Sequence, residues 1–460
     1  MDVETICKTT TGNFALEIVQ KTSSAIKEKH IVPMLRLAVV LYGENRRDDY
    51  QKLMQELRTL IQGVGGLKQR NHLLGEWVLV SSYGDFPCIE RMAEKYEEAV
   101  RLLTCPSQAV LPTDPYMFDC PSLIHVFHNR LGEANKAADA LDRALATYTA
   151  ITRGHGSGAS DLFRGELCYL RGQMEEAEEY AYKAMYEAEC KGQLSIRFGA
   201  ALLLGRVAII RSNSKELNRA IDYLNHAAAE ATERSITSIR RCVDVVQSIL
   251  MCHLGEQQIS ADWIKNGKWN VGTMDPARLM VLYVYVSYLS ANKEYSRALS
   301  VISHGLRECD RLHCLSIKLY LYLCQTNVYL MQDKPDLAAE SFIHCLKLSV
   351  PDDFVAVYHR YLDRLERIFH HPKLQPYRGA IEKIKKNNAR LQSQQKPILL
   401  QQDLLTEREY EVAMLAAKGN RNKEIAEILN VSENTVKTHL KSAFSKLSID
   451  RRSQLIKLLT

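Results

Sequence analysis

Five segments of this chain repeat one spacing of small and apolar residues, which severely limits the folds open to it. Counted from a glycine or lysine, an alanine follows five residues later, an apolar residue nine later, and a small or apolar residue twelve later. The alanines at the first of these positions are Ala137, Ala177, Ala220, Ala298 and Ala339. They stand about 40 residues apart, except for a double gap after Ala220. Residues 255–259 with Trp263 supply a weaker repeat within that gap.

This spacing predicts pairs of antiparallel helices that approach each other closely, because small residues recur at helical intervals. A single hairpin of this kind cannot bury its apolar face, so the hairpins must stack into a superhelix. The pattern resembles a tetratricopeptide repeat (TPR) lengthened to about 40 residues. Residues 73–77 and 89–92 also have helical patterns, and we expect them to start the same array. The predicted fold class is all-α, with a TPR-like α-solenoid.

A solenoid curves and offers an extended concave surface to peptides, proteins or small ligands. Six tyrosines of the later repeats are candidates to line that surface: Tyr283, Tyr285, Tyr288, Tyr320, Tyr322 and Tyr329. The alternative, which we favour, is that these rings pack between repeats with their hydroxyl groups at the rim. The residues identify no ligand.

The last part of the chain has a different pattern, which predicts several short helices. Thr406 and Glu409 stand three residues apart before an apolar run, the spacing of a capping box that starts a helix at about Glu407. Gly419 follows as a residue that can take the left-handed conformation in which helices end. A first helix is therefore expected between these points.

Two further helices are predicted downstream. Asn422 is the expected cap of the second helix, which stops near Asn430, and Ser432 is placed to cap the third. The apolar residues of the third helix recur at three- and four-residue steps and must pack inward: Val436, Leu440, Ala443, Phe444 and Leu447. The residues left outside are Lys437, Thr438, Lys441 and Ser445. Two short helices with a tight turn and a cationic outer face are typical of a helix-turn-helix that enters the major groove.

These residues resemble the LuxR-type (GerE-like) DNA-binding domain. The family pattern is L-T-x-R-E, then N-K-E-I-A, then S-x-x-T-V-K-x-H, then K-L-x-V-x-x-R. The matching stretches are residues 405–409, 422–426, 432–439 and 446–452. The resemblance implies a four-helix domain that binds double-stranded DNA.

The resemblance also implies roles for individual residues. Lys437, Thr438 and Lys441 would face the groove, with the start of the second helix and Arg452 near phosphates. Lysine donates to guanine edges or phosphate, and a helix start favours phosphate through its free backbone donors. The candidate DNA-binding residues are Arg421, Asn422, Lys423, Ser432, Glu433, Asn434, Thr435, Lys437, Thr438, Lys441 and Arg452. His439 is interpreted as a packing residue.

The sequence departs from the family pattern at a few positions. Arg421 stands where the family usually has serine, and Leu455 replaces a common alanine on the fourth helix. The chain ends at Thr460, so a short fourth helix is expected. That helix dimerises the domain in the family, so the strength of a homodimer stays open.

Long repeats joined to a LuxR-type domain resemble the large ATP-dependent regulators related to the maltose activator, the LAL family. This resemblance implies an activator whose repeats sense a ligand or a partner. Such regulators carry a phosphate loop, but no G-x-x-x-x-G-K-[S/T] occurs in the chain. The glycine-rich residues 154–158 lack the lysine and are interpreted as a turn. We expect either a natural short form or the C-terminal part of a longer regulator.

Composition narrows the class of protein further. The chain is 46% hydrophobic and 25% charged, the balance of a soluble globular protein. Its apolar stretches, such as residues 279–288, are shorter than the roughly 20 residues of a membrane span, and no signal peptide is evident. We expect a cytoplasmic protein without a membrane partner. The twelve cysteines lack paired spacing, and Cys309, His313 and Cys314 lack a second pair, so no disulfide, metal or other cofactor is expected.

Basic residues are concentrated just before the C-terminal domain. Between residues 373 and 399, seven lysines and arginines accompany one glutamate. The polar residues 392–397 end in proline and predict a hinge. This segment either approaches DNA or is an ordinary solvated helix. The predicted domains are a helical repeat domain at 1–372, a basic helix and linker at 373–402, and a DNA-binding domain at 403–460.

Two functions are therefore open. The first is a transcription regulator that binds double-stranded DNA, with a small-molecule or protein ligand on the array, a second copy through the C-terminal domain, and RNA polymerase if it activates. The second is a non-enzymatic interaction scaffold whose C-terminal domain docks a protein. Lys437 and Lys441 favour DNA over a protein partner. No enzyme is expected, because His370, Asp352 and Ser157 lack partners at a catalytic spacing.

Overall fold

A computed structural model describes residues 12–114, 116, 120–233, 237–254, 261–267, 275–393, 406–446, 449 and 452. Helices dominate these residues, and no β-strand occurs among them, which confirms the all-α class. The weak repeat at 255–259, the hinge at 394–397, Leu405, Leu447 and Leu455 lie outside the described residues.

The helices follow one another along the chain, and most connections within the middle of the chain are short. The first are α1 (Gly12–Lys21), α2 (Ser24–Lys29), α3 (Ile31–Gly43), α4 (Arg47–Gly63), α5 (Leu67–Ser81) and α6 (Ile89–Leu102). Next come α7 (Ile124–Phe127), α8 (Ala134–Ile151), α9 (Ala159–Leu170), α10 (Met174–Cys190), α11 (Leu194–Ile210), α12 (Ser214–Glu233) and α13 (Thr237–Leu254). Then follow α14 (Asp262–Lys265), α15 (Asp275–Ala291), α16 (Tyr295–Leu312), α17 (Leu315–Met331), α18 (Pro335–Ser349), α19 (Leu362–Leu365) and α20 (Arg378–Ser393). The C-terminal helices are α21 (Glu407–Ala417), α22 (Asn422–Leu429) and α23 (Glu433–Lys446).

The middle of the chain forms a layered array of helices. The odd-numbered helices from α9 to α17 pack side by side, and each packs against a neighbouring even-numbered helix. The small residues of the repeat lie between these layers, where Ala177, Ala181 and Ala184 are fully buried. A Cβ atom at Gly305 would lie 2.8 Å from side-chain atoms of Leu282 and Leu321. The spacing therefore permits the close approach of helices, while the assignment to the TPR class stays a prediction.

The glycine-rich residues 154–158 form the turn between α8 and α9. Gly154, Gly156 and Gly158 have φ angles of +101°, +82° and +87°, which favour glycine. A Cβ atom at Gly158 would also lie 2.6 Å from the carbonyl oxygen of Ala184. The interpretation of this run as a turn is confirmed.

The end of the array contacts the segment that leads into α8 through Asp352. This buried carboxylate accepts hydrogen bonds from His128 Nε2 at 2.9 Å, from the Gly132 N–H at 2.8 Å and from the Ala134 N–H at 2.9 Å. The Arg171 guanidinium donates to the Asp352 carbonyl oxygen at 3.1 Å. The contacts of the carboxylate join residues more than two hundred positions apart.

Other chain segments cross the inside of the array. His125 Nδ1 lies 2.7 Å from Ser316 Oγ, and the Val355 N–H donates to the Leu170 carbonyl oxygen at 2.9 Å. The expected open concave surface is therefore partly filled by the chain itself. Tyr283 and Tyr320 are buried with ring centroids 5.3 Å apart, which supports packing between helices for these two rings.

The basic helix α20 packs against the array. Its apolar residues Ile381, Ile384 and Leu391 belong to the same core as the repeats. The buried Asn388 accepts a hydrogen bond through Oδ1 from His359 Nδ1 at 3.0 Å, and Arg390 donates to the Gly172 carbonyl oxygen. Helix α20 is thus fixed at its inner face while its lysines remain outside.

The C-terminal helices α21 to α23 have a core of their own. Its buried members are Val412, Ala413, Ala416, Ala417, Ile425, Ala426, Val436, Leu440 and Ala443. Within the described part of the chain, no helix is both long and apolar enough to cross a membrane.

Candidate nucleic-acid interface

Helix α21 begins with the predicted capping box. The Thr406 N–H donates to Glu409 Oε2 at 2.7 Å, and the Glu409 N–H donates to Thr406 Oγ1 at 3.3 Å. The second oxygen of Glu409 accepts a hydrogen bond from Ser442 Oγ at 2.6 Å. Because Ser442 is on α23, the buried glutamate fixes the third helix against the start of the first. Gly419 follows α21 with the expected left-handed φ of +92°.

Helix α22 starts one residue earlier than a cap at Asn422 requires. The cap position is Arg421, whose N–H donates to Glu424 Oε2 at 2.6 Å, and Asn422 is the first helical residue. The prediction of Asn422 as the cap was wrong, since its side chain has another partner. The helix ends as predicted at Asn430, which has a φ of +52°.

That other partner is Arg452. Its Nη1 donates to Asn422 Oδ1 at 2.7 Å, and its Nη2 donates to the Asn420 carbonyl oxygen. Burial lowers the pKa of the Arg452 guanidinium from its usual value. Arg452 therefore braces the connection between α21 and α22, a role that sequence reasoning missed when it assigned this residue to phosphates alone.

The turn between α22 and α23 is closed by Ser432, as predicted. Its Oγ accepts from the Thr435 N–H at 3.1 Å and lies 2.8 Å from Thr435 Oγ1. The exposed start of α23 also includes Glu433 and Asn434. Both hydroxyl groups already take part in a hydrogen bond, so Ser432 and Thr435 shape the turn.

Helix α23 separates its faces as the periodicity predicts. Val436, Leu440 and Ala443 are buried, whereas Lys437, Thr438 and Lys441 are exposed. Thr438 Oγ1 donates to the Asn434 carbonyl oxygen at 2.9 Å, which leaves its methyl group and its lone pairs on the outer face. His439 is half-buried beside the core. The exposed cations stand one helical turn apart and do not form an ion pair within the described residues.

Arg408 also has a role in this domain that the sequence pattern did not reveal. Arg408 donates through Nη2 to the Leu429 carbonyl oxygen at 2.7 Å and so holds the end of α22 against α21. Arg408 is the arginine of the L-T-x-R-E motif, and this match was the sequence signal that could have pointed to its role. Ile428 is 57% exposed on α22, although it is apolar.

The described part of the chain holds no group of three or more His, Cys, Asp or Glu side chains arranged to bind a metal ion. The site therefore consists of three packed helices with Arg421, Lys423, Lys437 and Lys441 on the surface. Acidic side chains also occur there, as Glu424 and Glu427 on α22 are exposed.

Comparison with known proteins places this geometry in a family. Residues 403–459 match the model of the luxR family of bacterial regulatory proteins. Residues 403–459 form a LuxR-family domain. The chain is also 44% identical over 54 residues to the response regulator protein VraR of Staphylococcus aureus, Staphylococcus saprophyticus and Staphylococcus epidermidis. Each match covers 12% of this chain and 26% of the relative, so the chain spans about a quarter of the length of these curated relatives.

The LuxR-family domain accounts for the arrangement of α21, α22 and α23. Helices α22 and α23 form the helix-turn-helix, and α21 supports both from behind. Domains of this family bind DNA, so the exposed side of α23 is the candidate nucleic-acid interface. The repeat region lies outside the matched residues.

Proposed function

We propose that this protein is a transcription regulator, an activator, whose helical array senses a signal and controls a DNA-binding domain. The observation that carries the DNA-binding part is the exposed trio Lys437, Thr438 and Lys441 on the second helix of a helix-turn-helix. In such domains this helix enters the major groove with its N-terminal part against base edges. DNA binding in bacteria requires a cytoplasmic location.

The residues of the proposed interface have different tasks. Lys437 and Lys441 donate to base edges or phosphate, and Thr438 offers its methyl group to thymine. Arg421, Lys423 and the backbone N–H groups at the start of α22 contact phosphate. Asn422 and Arg452 hold that start in place, while Ser432, Glu433, Asn434 and Thr435 present the beginning of α23.

One domain of this size buries only about 600–1,000 Å² on DNA. Tight and specific binding therefore calls for two copies on half-sites about one helical turn apart. We propose that a homodimer forms on the operator through the C-terminal domains. As an activator, the dimer would then contact RNA polymerase.

The array would transmit its signal through α20. This helix packs on the array through Ile381, Ile384 and Leu391 and immediately precedes the segment that leads to the LuxR-type domain. A signal that moves α20 therefore changes the positions that the DNA-binding domains of the two copies can take. Domains of this regulator are proposed at 1–372, 373–402 and 403–460, with α20 as part of the connection.

Substitution of Lys437 tests the proposed interface. We expect Lys437→Ala to weaken binding to a selected operator by about 1–3 kcal/mol, with a much smaller effect on random duplex DNA. The measurement is fluorescence anisotropy of both labelled duplexes with the full chain. Lys418→Ala, which removes an equally exposed cation at the end of α21, serves as the control and should leave the ratio of the two affinities unchanged. Equal losses on both duplexes would show that Lys437 contacts phosphate alone.

The scaffold function is supported by a separate observation, the exposed Ile428 on α22. An apolar side chain at 57% exposure suits a protein contact better than a phosphate contact. Under the scaffold function, Ile428→Lys abolishes a protein interaction while Lys437→Ala has no effect on any binding activity. Under the regulator function, Lys437→Ala changes operator binding.

A further inference from the structure

A cavity of about 630 Å³ lies inside the helical array. Its walls come from the inner helices α9, α11, α13, α15 and α17, and the segment 356–364 closes it. This volume falls within the range of about 300–1,000 Å³ that is typical of small-molecule sites. The cavity is therefore large enough for an organic ligand.

Three polar groups in the cavity wall are buried without a hydrogen-bond partner within the described residues. They are Nη1 of Arg360, Nε2 of His253 and Oγ of Ser287. Buried polar atoms without partners are uncommon, because each one loses its hydrogen bonds to water on folding. These groups come from three different elements, α13, α15 and the closing segment, and line one space.

The cavity also has an excess of positive charge. Arg206, behind the wall formed by Tyr169 and Tyr320, is 3% exposed, and its Nε lacks a hydrogen-bond partner among the described residues. Neither Arg206 nor Arg360 forms an ion pair in that part of the chain. Burial and the neighbouring Arg206 and Arg360 hold the pKa of the His253 imidazole well below its usual range, so His253 adds a donor without charge.

The acidic groups nearby do not balance this charge. Glu166 acts on Arg206, but burial raises the pKa of Glu166 to about 7, so the group is only partly ionised at neutral pH. At the exposed mouth, Asp363 stands beside two cations, Lys293 and Arg364. The surroundings of the three free groups are therefore net positive.

We propose that this cavity binds a small organic anion, whose carboxylate or phosphate group is held by Arg360, His253 and Ser287. A guanidinium offers two parallel N–H donors that match the oxygens of either group. The body of the ligand packs against the rings of Tyr169, Tyr320 and Tyr361, which also line the cavity. A cavity of this size suits a small molecule rather than a peptide segment.

The position of the cavity connects it to α20. Gln392, near the end of α20, lines the cavity, and His359 of the cavity wall lies 3.0 Å from Asn388 of α20. A ligand that shifts His359 or Gln392 therefore acts on the helix that leads to the DNA-binding domain. This regulatory part rests on the proposed function, whereas binding in the cavity does not.

Matched ligands test the binding part on the intact chain. The probes are 2-naphthoate and 2-naphthyl phosphate, and the neutral control is 2-naphthamide, which has the same ring system. We expect at least one of the two anions to bind about tenfold more tightly than the amide in isothermal titration calorimetry. The tighter anion identifies the head group. Equal affinity for the amide and both anions, or no binding by either anion, would overturn the proposal.

Substitution of Arg360 locates the site. Arg360→Met should remove the preference for the anion and leave the thermal midpoint of the ligand-free protein unchanged or higher, since it removes an unpaired buried charge. Arg307→Gln, which removes an exposed arginine on α16, should keep the preference. An unchanged preference in folded Arg360→Met would contradict the assigned site. If Arg360→Met does not fold, the comparison of the ligands on the unsubstituted chain still shows whether the protein prefers an anion to the amide.

Operator binding with and without the tighter anion tests the regulatory part. A change in operator affinity of about tenfold or more supports coupling through α20. If calorimetry shows anion binding but operator affinity does not change, the proposed binding site is retained and the proposed coupling through α20 is rejected. If the chain binds no DNA under any condition, the proposed function fails while the binding result is unaffected.

Discussion

Glu166 illustrates how burial sets the protonation of a single residue in this fold. Its side chain is 3% exposed, and Oε2 accepts hydrogen bonds from the N–H groups of Leu123 at 2.8 Å and Ile124 at 2.9 Å. Burial raises the pKa of Glu166 to about 7, although these hydrogen bonds and Arg206 favour the ionised form. The folded chain therefore retains a proton that the unfolded chain releases at about pH 4.5.

This difference predicts the pH dependence of stability. Between about pH 4.5 and pH 7 the folded state binds more protons than the unfolded state, so the contribution of Glu166 to stability falls as the pH rises through that window. Glu166→Gln keeps an acceptor for Leu123 and Ile124 and cannot ionise. We expect the urea midpoint of this variant to fall less than that of the original chain as the pH rises through this window. Above the window, the variant should be more stable than the original chain.

The exposed Glu187→Gln provides the control, and its urea midpoints should follow those of the original chain. A Glu166→Gln profile parallel to the original would show that Glu166 is ionised in the folded chain.

Residues of the candidate nucleic-acid interface were predictable to different degrees. The outward positions of Lys437, Thr438 and Lys441 follow from helical periodicity alone, because each is fixed by its own helix. The role of Arg452 was not predictable, since its partner Asn422 lies 30 residues earlier and depends on how the domain folds back.

At the scale of helices, the capping box of α21 was predicted correctly because it depends on four consecutive residues. The contact of Glu409 with Ser442 spans 33 residues and is set by the packing of α23 on α21. Caps were less predictable where two polar residues are adjacent, as Arg421 and Asn422 show. The local sequence pattern therefore predicts where helices form. Tertiary packing determines the residues at which they end and the side chains that they contact.

Glu409 should stabilise the LuxR-type domain through both of its contacts. We expect Glu409→Ala to lower the unfolding free energy of this domain by about 1–3 kcal/mol, because the Thr406 N–H and the Ser442 hydroxyl lose their acceptor. Hydrogen exchange of the α21 amides in the full chain measures the change. Glu411→Ala, which removes only an exposed ion pair with Arg408, should cost at most about 1 kcal/mol. Equal protection in the two variants would contradict the role of Glu409.

At the scale of the whole molecule, the stacked helices were predicted, but the closure of the array through Asp352 was not. The repeat spacing predicts which residues of neighbouring hairpins can pack closely against each other. It contains no information on Asp352, whose carboxylate accepts hydrogen bonds from His128, Gly132 and Ala134, all more than two hundred residues earlier in the chain. The cavity was unpredictable for the same reason, since α9, α13, α15 and the segment 356–364 meet there only after closure.

Asp352 should therefore control both the stability and the size of the array. Burial acts to raise the pKa of Asp352, but the hydrogen bonds from His128, Ala134 and Gly132 outweigh it and hold the pKa below its usual range. This stabilisation is present above about pH 4 and is lost as the pH falls through the folded pKa. Asp352→Ala should cost about 3–5 kcal/mol at neutral pH, because it leaves buried donors without an acceptor.

Urea unfolding and small-angle scattering measure these effects. The scattering radius should increase for Asp352→Ala, and the exposed Asp310→Ala should leave it unchanged. A radius and stability equal to those of the control would show that the closure does not depend on Asp352.

For the whole molecule, we propose that the full chain binds DNA through its C-terminal domain. The most direct measurement is the affinity of the full chain for a selected duplex and a random duplex across a salt series. We predict that the logarithm of the affinity falls linearly with the logarithm of the salt concentration on both duplexes, with a slope of about −0.9 for each phosphate contacted. The selected duplex should be bound more tightly at every salt concentration. Absence of binding to either duplex at low salt would contradict the account.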